Sequence, residues 1–191
     1  GSALVGAEMV VELEAHNTWA PTNPDQERYH DVTVTDVVPA GMRPVPGSYS
    51  VTPSRVRHDD PVPGASTLVW ENIGDAQPGS STAVRYRIAP EAPDAPIAGD
   101  VVAAEATAVA STDEHRRPDP DVRDGDASAR WTTRSDASGS ARVVPLQVTL
   151  RSDAHEDQVL RGPGHATTST LRVVNAPDAV TRGVVVEDHL A

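Results

Sequence analysis

Asp113, Glu114, Asp119, Asp121, Asp124 and Asp126 crowd one short stretch around Pro118, Pro120 and Gly125. Calcium takes several oxygen ligands from a loop bent by glycine. The run Asp119-x-Asp121-x-x-Asp124-Gly125-Asp126 supplies the right residue types, and these four aspartates are the calcium-ligand candidates. The run misses the EF-hand spacing by one position and lacks its terminal bidentate glutamate. The competing reading is a solvated hairpin, where Asp, Pro and Gly are common. The histidines do not fall into a His-x-His or His-x-x-Glu-His pattern. His16 and His30 flank one loop, and zinc there would need a third ligand such as Asp31 or Glu27. Serine, histidine and aspartate are plentiful, but the Gly-x-Ser-x-Gly elbow of a serine hydrolase is missing. Catalytic residues are therefore not assigned. In the longest loop, Trp19 and Tyr29 offer faces that stack on a sugar or anchor a partner. The alternative for Trp19 is to fold back and cap the open end of the domain.

Composition narrows the chemistry further. The chain has 191 residues, a net charge of −12 and no cysteine. It contains no lysine, so its 16 basic residues are all arginine. Thiolate nucleophiles, disulfides and cysteine zinc sites are excluded, and so are Schiff-base and P-loop lysine chemistry. The acidic balance argues against nucleic acid as a partner. No apolar run approaches the ~20 residues of a membrane-spanning helix. Phenylalanine is absent too, so the core must be built from Val, Leu, Ala and a few larger side chains.

Seventeen prolines and thirteen glycines interrupt nearly every stretch long enough for a helix. What recurs is a short run of alternating apolar residues bounded by turn formers, the pattern of an all-β domain. Met9, Val11, Leu13 and Ala15 alternate with Glu12, Glu14 and His16. Val32 and Val34 alternate with Thr33 and Thr35 in a strand over 30–38. Leu68 and Trp70 point inward from 66–71, and Val84, Tyr86 and Ile88 from 81–89. Weaker strands are predicted over 48–52 and 54–58, and an Ala/Val strand over 100–111. A strand over 126–134 would place Ala127, Ala129 and Trp131 on one face. The small, polar, patternless run SDASGSAR over 135–142 reads as a linker. A second series of strands is predicted over 143–150, 157–160, 166–175 and 182–188.

Two parts of the chain match. Leu4-x-Gly6, Val11 to Asn17 and Val32 to Asp36 correspond to Leu160-x-Gly162, Ser169 to Asn175 and Val184 to Asp188. The copies differ in loop length, as copies of one β-unit should. The ordered set of Asn17, VTVTD ending at Asp36, Pro39-Ala40-Gly41, the Trp70 strand, Pro78-Gly79, the Tyr86 strand and the Ala-rich strand 101–111 carries a resemblance. It resembles the domain-of-unknown-function-eleven repeats of bacterial surface proteins and their relatives in fimbrial and adhesin stalks. The resemblance implies an all-β, immunoglobulin-like antiparallel sandwich. It divides the chain into one nearly complete unit (1–134), the linker, and part of a second unit (143–191).

The expectation that follows is a non-catalytic stalk segment of a secreted or cell-wall-associated, adhesin-like protein. The residue bias suggests a GC-rich, actinobacteria-like genome. Its expected partners are neighbouring repeat units, a strand-exchanged second chain, or a host or glycan ligand bound through the 18–30 loop. No cofactor is expected apart from the calcium considered above. Stalk domains of this kind often carry a Lys–Asn isopeptide bond. Here the corresponding positions hold Arg151 and Glu105, and a guanidinium stays protonated and is no nucleophile.

Overall fold

The computed structural model describes residues 2–19, 28–123, 125–144, 146–152 and 169–175. Among these residues eleven strands run in chain order: β1 Ser2–Leu4, β2 Met9–His16, β3 His30–Val38, β4 Met42–Pro44, β5 Arg55–His58, β6 Ser66–Trp70, β7 Ser81–Pro90, β8 Val101–Ser111, β9 Thr132–Val144, β10 Leu146–Ser152 and β11 Ser169–Asn175. A 3-10 turn, Ala127–Arg130, is the only helical element among the described residues. No helix among them is long and apolar enough to cross a membrane.

The strands form a β-sandwich. A six-stranded sheet in the order β1-β9-β8-β3-β6-β5 packs against a three-stranded sheet, β2-β7-β4. Its pairs are antiparallel except β1 with β9, which run parallel from Ser2↔Arg142 to Leu4↔Val144. Alternation explains which side chains meet between the sheets, because successive residues of a strand point to opposite faces. Val32, Val34, Leu68, Trp70, Val84, Tyr86 and Ile88 are all buried, joined by Val38, Met42, Val102 and Val143. Trp70 lies 5.4 Å from Tyr86 between ring centroids, and its indole N–H donates to the Val51 carbonyl at 2.8 Å. Tyr49 stacks on Tyr86 at 6.1 Å between ring centroids. On the outer face of β2 and β7, Arg85 pairs with Glu12 at 2.8 Å and Arg87 with Glu8 at 2.7 Å. These pairs are solvent-exposed and contribute at most ~1 kcal/mol each.

Three expectations are corrected. Residues 135–142 are not a linker: they are the middle of β9, a 13-residue strand paired with β8 from Val101↔Arg142 to Ser111↔Thr132. The first sheet therefore continues to Val144, and only Pro145 separates it from β10. Small side chains hid the strand. Ser135, Ala137, Gly139 and Ala141 share a face with Ala104, Ala106 and Ala108 of β8, where no bulky side chain marks the period. The predicted strand over 126–134 is a 3-10 turn followed by the start of β9. Residues 48–52 form no strand; the hydroxyls of Ser48 and Ser50 instead accept from the Arg87 and Arg85 amides.

β10 and β11 make a two-stranded antiparallel ribbon, with Leu146 opposite Asn175 and Ser152 opposite Ser169. The strands predicted over 157–160 and 182–188 lie outside the described residues, as does the first part of 166–175.

Gly41 shows why the Pro39-Ala40-Gly41 corner is fixed. Its φ is +80°, and a Cβ added there would sit 2.1 Å from the Asp94 carbonyl oxygen. Its own carbonyl accepts the Glu91 amide at 2.8 Å. Gly41→Ala should cost more than the ~1–2 kcal/mol of a left-handed L-residue, because the backbone clash adds to it. Chemical denaturation of the two proteins checks this, and equal midpoints would refute it.

Candidate functional site

The two loop aromatics come together. The Trp19 indole N–H donates to the Tyr29 hydroxyl at 3.1 Å, and Trp19 remains 41% exposed. The indole is thus not folded into the end of the sandwich. Asn17, wholly buried at the end of β2, organises this corner. Its side-chain amide donates to the Ala76 carbonyl at 3.0 Å, and its side-chain oxygen accepts the Trp19 amide at 3.2 Å. Tyr29 bridges back to Ala76 through two backbone hydrogen bonds. Beside it, Asp75 gathers His30 at 3.2 Å, Arg28 at 3.9 Å and the Asp31 amide at 3.2 Å. His30 and Arg28 thus share one carboxylate oxygen of Asp75.

The acidic loop is organised from within. The two carboxylate oxygens of Asp119 accept the Asp121 amide at 3.0 Å and the Ser128 hydroxyl at 2.9 Å. Asp126 accepts the Arg123 amide at 2.8 Å, and Asp113 accepts the His115 amide at 2.9 Å. Asp124 lies outside the described residues. Among the described residues, no three His, Cys, Asp or Glu side chains come close enough to share a metal. Arg116 lies 4.2 Å over the ring of Trp131, so this indole is held by a cation rather than by the core.

A third place was not singled out from the sequence. The small sheet covers only part of the large one, leaving an open trough of about 880 Å³. β2 forms one wall, and its inner residues Met9, Val11, Leu13 and Ala15 are half-buried. The floor is the small-residue face of β8 and β9, with Ser135, Ala137 and Gly139 exposed. Asp36 of β3 lines this trough. It is wholly buried and accepts a hydrogen bond from the Tyr86 hydroxyl through Oδ2. Its Oδ1 has no hydrogen-bond partner. Burial pushes the Asp36 carboxyl above the usual carboxylate range. The Tyr86 hydroxyl opposes that shift, as does the Val37 amide, which gives Oδ1 no formed hydrogen bond. The Tyr86 phenol is also raised, by its own burial and then by the facing carboxylate. The sequence did hold the signal: Asp36 has the same parity as inward-facing Val32 and Val34.

The sequence matches no family model and no curated protein.

Asp36 generates a pH prediction. Its pKa is higher in the folded chain than the ordinary 3.8, so the folded state holds the proton more tightly. The stabilisation is fully present below the ordinary pKa and is lost as pH rises through the raised one. Asp36→Asn removes this dependence, so wild-type stability relative to the variant should fall with rising pH from about pH 4. Tyr86→Phe strips the carboxyl of its donor and should cost ~1–3 kcal/mol. Melting curves across pH check both; parallel wild-type and Asp36→Asn profiles would rule out a raised Asp36.

Proposed function

We propose that this chain is a non-catalytic, force-transmitting segment of a modular, secreted or surface-attached stalk of the adhesin kind. On this reading its sandwich is immunoglobulin-like and repeats in tandem. The observation that carries the reading is the parallel pairing of β1 with β9. Tension applied at Ser2 and at Val144 pulls these neighbouring strands in opposite directions along their length. Their hydrogen bonds, including Val5 N–H to the Val144 carbonyl at 3.0 Å, are then sheared together rather than opened one at a time. The next strand, β10, begins after Pro145 alone, so pull on the second unit reaches β9 directly. The internal repeat supports the same reading, since arrays of like units space and present what they carry.

Single-molecule extension of the full chain tests it. The sandwich should resist as one unit, and Val5→Pro, which removes the Val5 amide, should lower its rupture force. A rupture force unchanged by Val5→Pro would overturn the shear assignment.

A second reading has its own observation. The exposed, hydrogen-bonded Trp19–Tyr29 pair is suited to stacking on a sugar or anchoring a protein. In a glycan-array screen, that reading expects binding that Trp19→Ala abolishes while the melting temperature holds. Binding that survives Trp19→Ala, or an array without signal, counts against the glycan version.

A further inference from the structure

The geometry points to the trough beside β2 as a docking site for an extended peptide strand, one with apolar residues at alternate positions in the manner of β10. This goes beyond the stalk reading and rests on the tandem repeat that reading includes.

The chain itself provides the template. β11 is the repeat counterpart of β2: Asn175 matches Asn17, Val173 matches Ala15, Leu171 matches Leu13 and Ser169 matches Val11. In the second copy this strand is paired by β10, in an antiparallel register from Leu146↔Asn175 to Ser152↔Ser169. In the first copy the equivalent strand, β2, is an edge strand among the described residues, bonded to β7 alone. An eight-residue edge with free backbone donors and acceptors is a template for strand addition.

Transferring the register fixes what the occupant places where. Val148, Leu150 and Ser152 fall opposite Ala15, Leu13 and Val11, whose side chains face the trough. The floor beneath is alanine, glycine and serine, so the space above it takes large side chains. Arg151 falls opposite Glu12, on the outer face where β2 presents Glu12 and Glu14. Glu12 already pairs with Arg85, so Arg151 would join that pair beside Glu14 and extend an alternating row of charge. Asp36 lies under the same trough. It is a wholly buried carboxylate lining the cavity, with one oxygen unpartnered. Buried polar groups almost always find partners. Tyr86 pairs with Val11, so Ser152 of the occupant reaches the level of the Tyr86–Asp36 contact and carries a hydroxyl there.

The test uses the full chain and a capped synthetic peptide of sequence PLQVTLRSD, residues 145–153, labelled for fluorescence anisotropy. Saturable binding is expected, with hydrogen exchange of the β2 amides slowed at least tenfold. A peptide with Val148→Asp and Leu150→Asp should not bind. On the protein, Gly139→Glu should weaken binding at least tenfold. A Cβ at Gly139 meets no atom within 4 Å, so a side chain there enters open space. Gly139→Ala, which adds only a methyl, should bind within twofold of wild type and separates blockage from loss of fold. Four results would each overturn the proposal. The first is no saturable binding, and the second is full binding by Gly139→Glu. The third is exchange protection elsewhere than on β2. The fourth is self-association of the peptide-free chain that already protects β2, which would make the occupant a second copy.

Discussion

The contact between Tyr86 and Asp36 ties the two sheets to each other. Tyr86 belongs to β7 of the small sheet and Asp36 to β3 of the large one, so their bond crosses the sandwich. Burying a carboxyl is expensive unless it is hydrogen-bonded, and a core without phenylalanine or cysteine has few other large groups to set the sheet spacing. Trp70 and Tyr49 pack around the same ring, which makes Tyr86 the hub of the interior. A polar bond at that hub admits few alternative packings. An apolar core of valine and alanine alone would tolerate more, because apolar contacts have no directional partner to satisfy.

Much of the fold is legible because most strands have one dry face and one wet one. Leu68, Val84 and Ile88 fall inside, and Arg85 and Arg87 fall outside, by parity alone. The same rule failed at β9. There the floor of an uncovered trough takes only Ser135, Ala137, Gly139 and Ala141, and a run of small residues has no contrast to read. It failed again at Ala127–Arg130, where alternating alanines fit a strand but the chain makes a tight turn under Trp131. Asp36 has the inward parity, yet an aspartate at a strand end ordinarily reads as a turn residue rather than part of the core.

The candidate sites divide in the same way. Trp19 and Tyr29 were visible because large aromatics in a long polar loop are unusual, and they do meet. The aspartates around Gly125 have the composition of a cation loop. Composition does not say where carboxylates point, and those of Asp119 and Asp126 turn toward backbone amides and a serine hydroxyl of their own loop. The trough could not be read from any local window. It arises because six strands face three, and that mismatch exists only once the pairing order is known.

The outer strands of the sandwich differ in a way that bears on solubility. β5 is four residues long with all four exposed, Arg55, Arg57 and His58 among them. β4 is three residues long and ends in a proline. Both are poor templates for a foreign strand, since charge, brevity and proline all discourage pairing. β2 is longer, regular and without proline. Edge-to-edge growth needs a receptive strand on each side of the joint. Of these three edges only β2 is receptive, so a single added strand there covers it and leaves the blunted β4 and β5 as poor starting points for further growth.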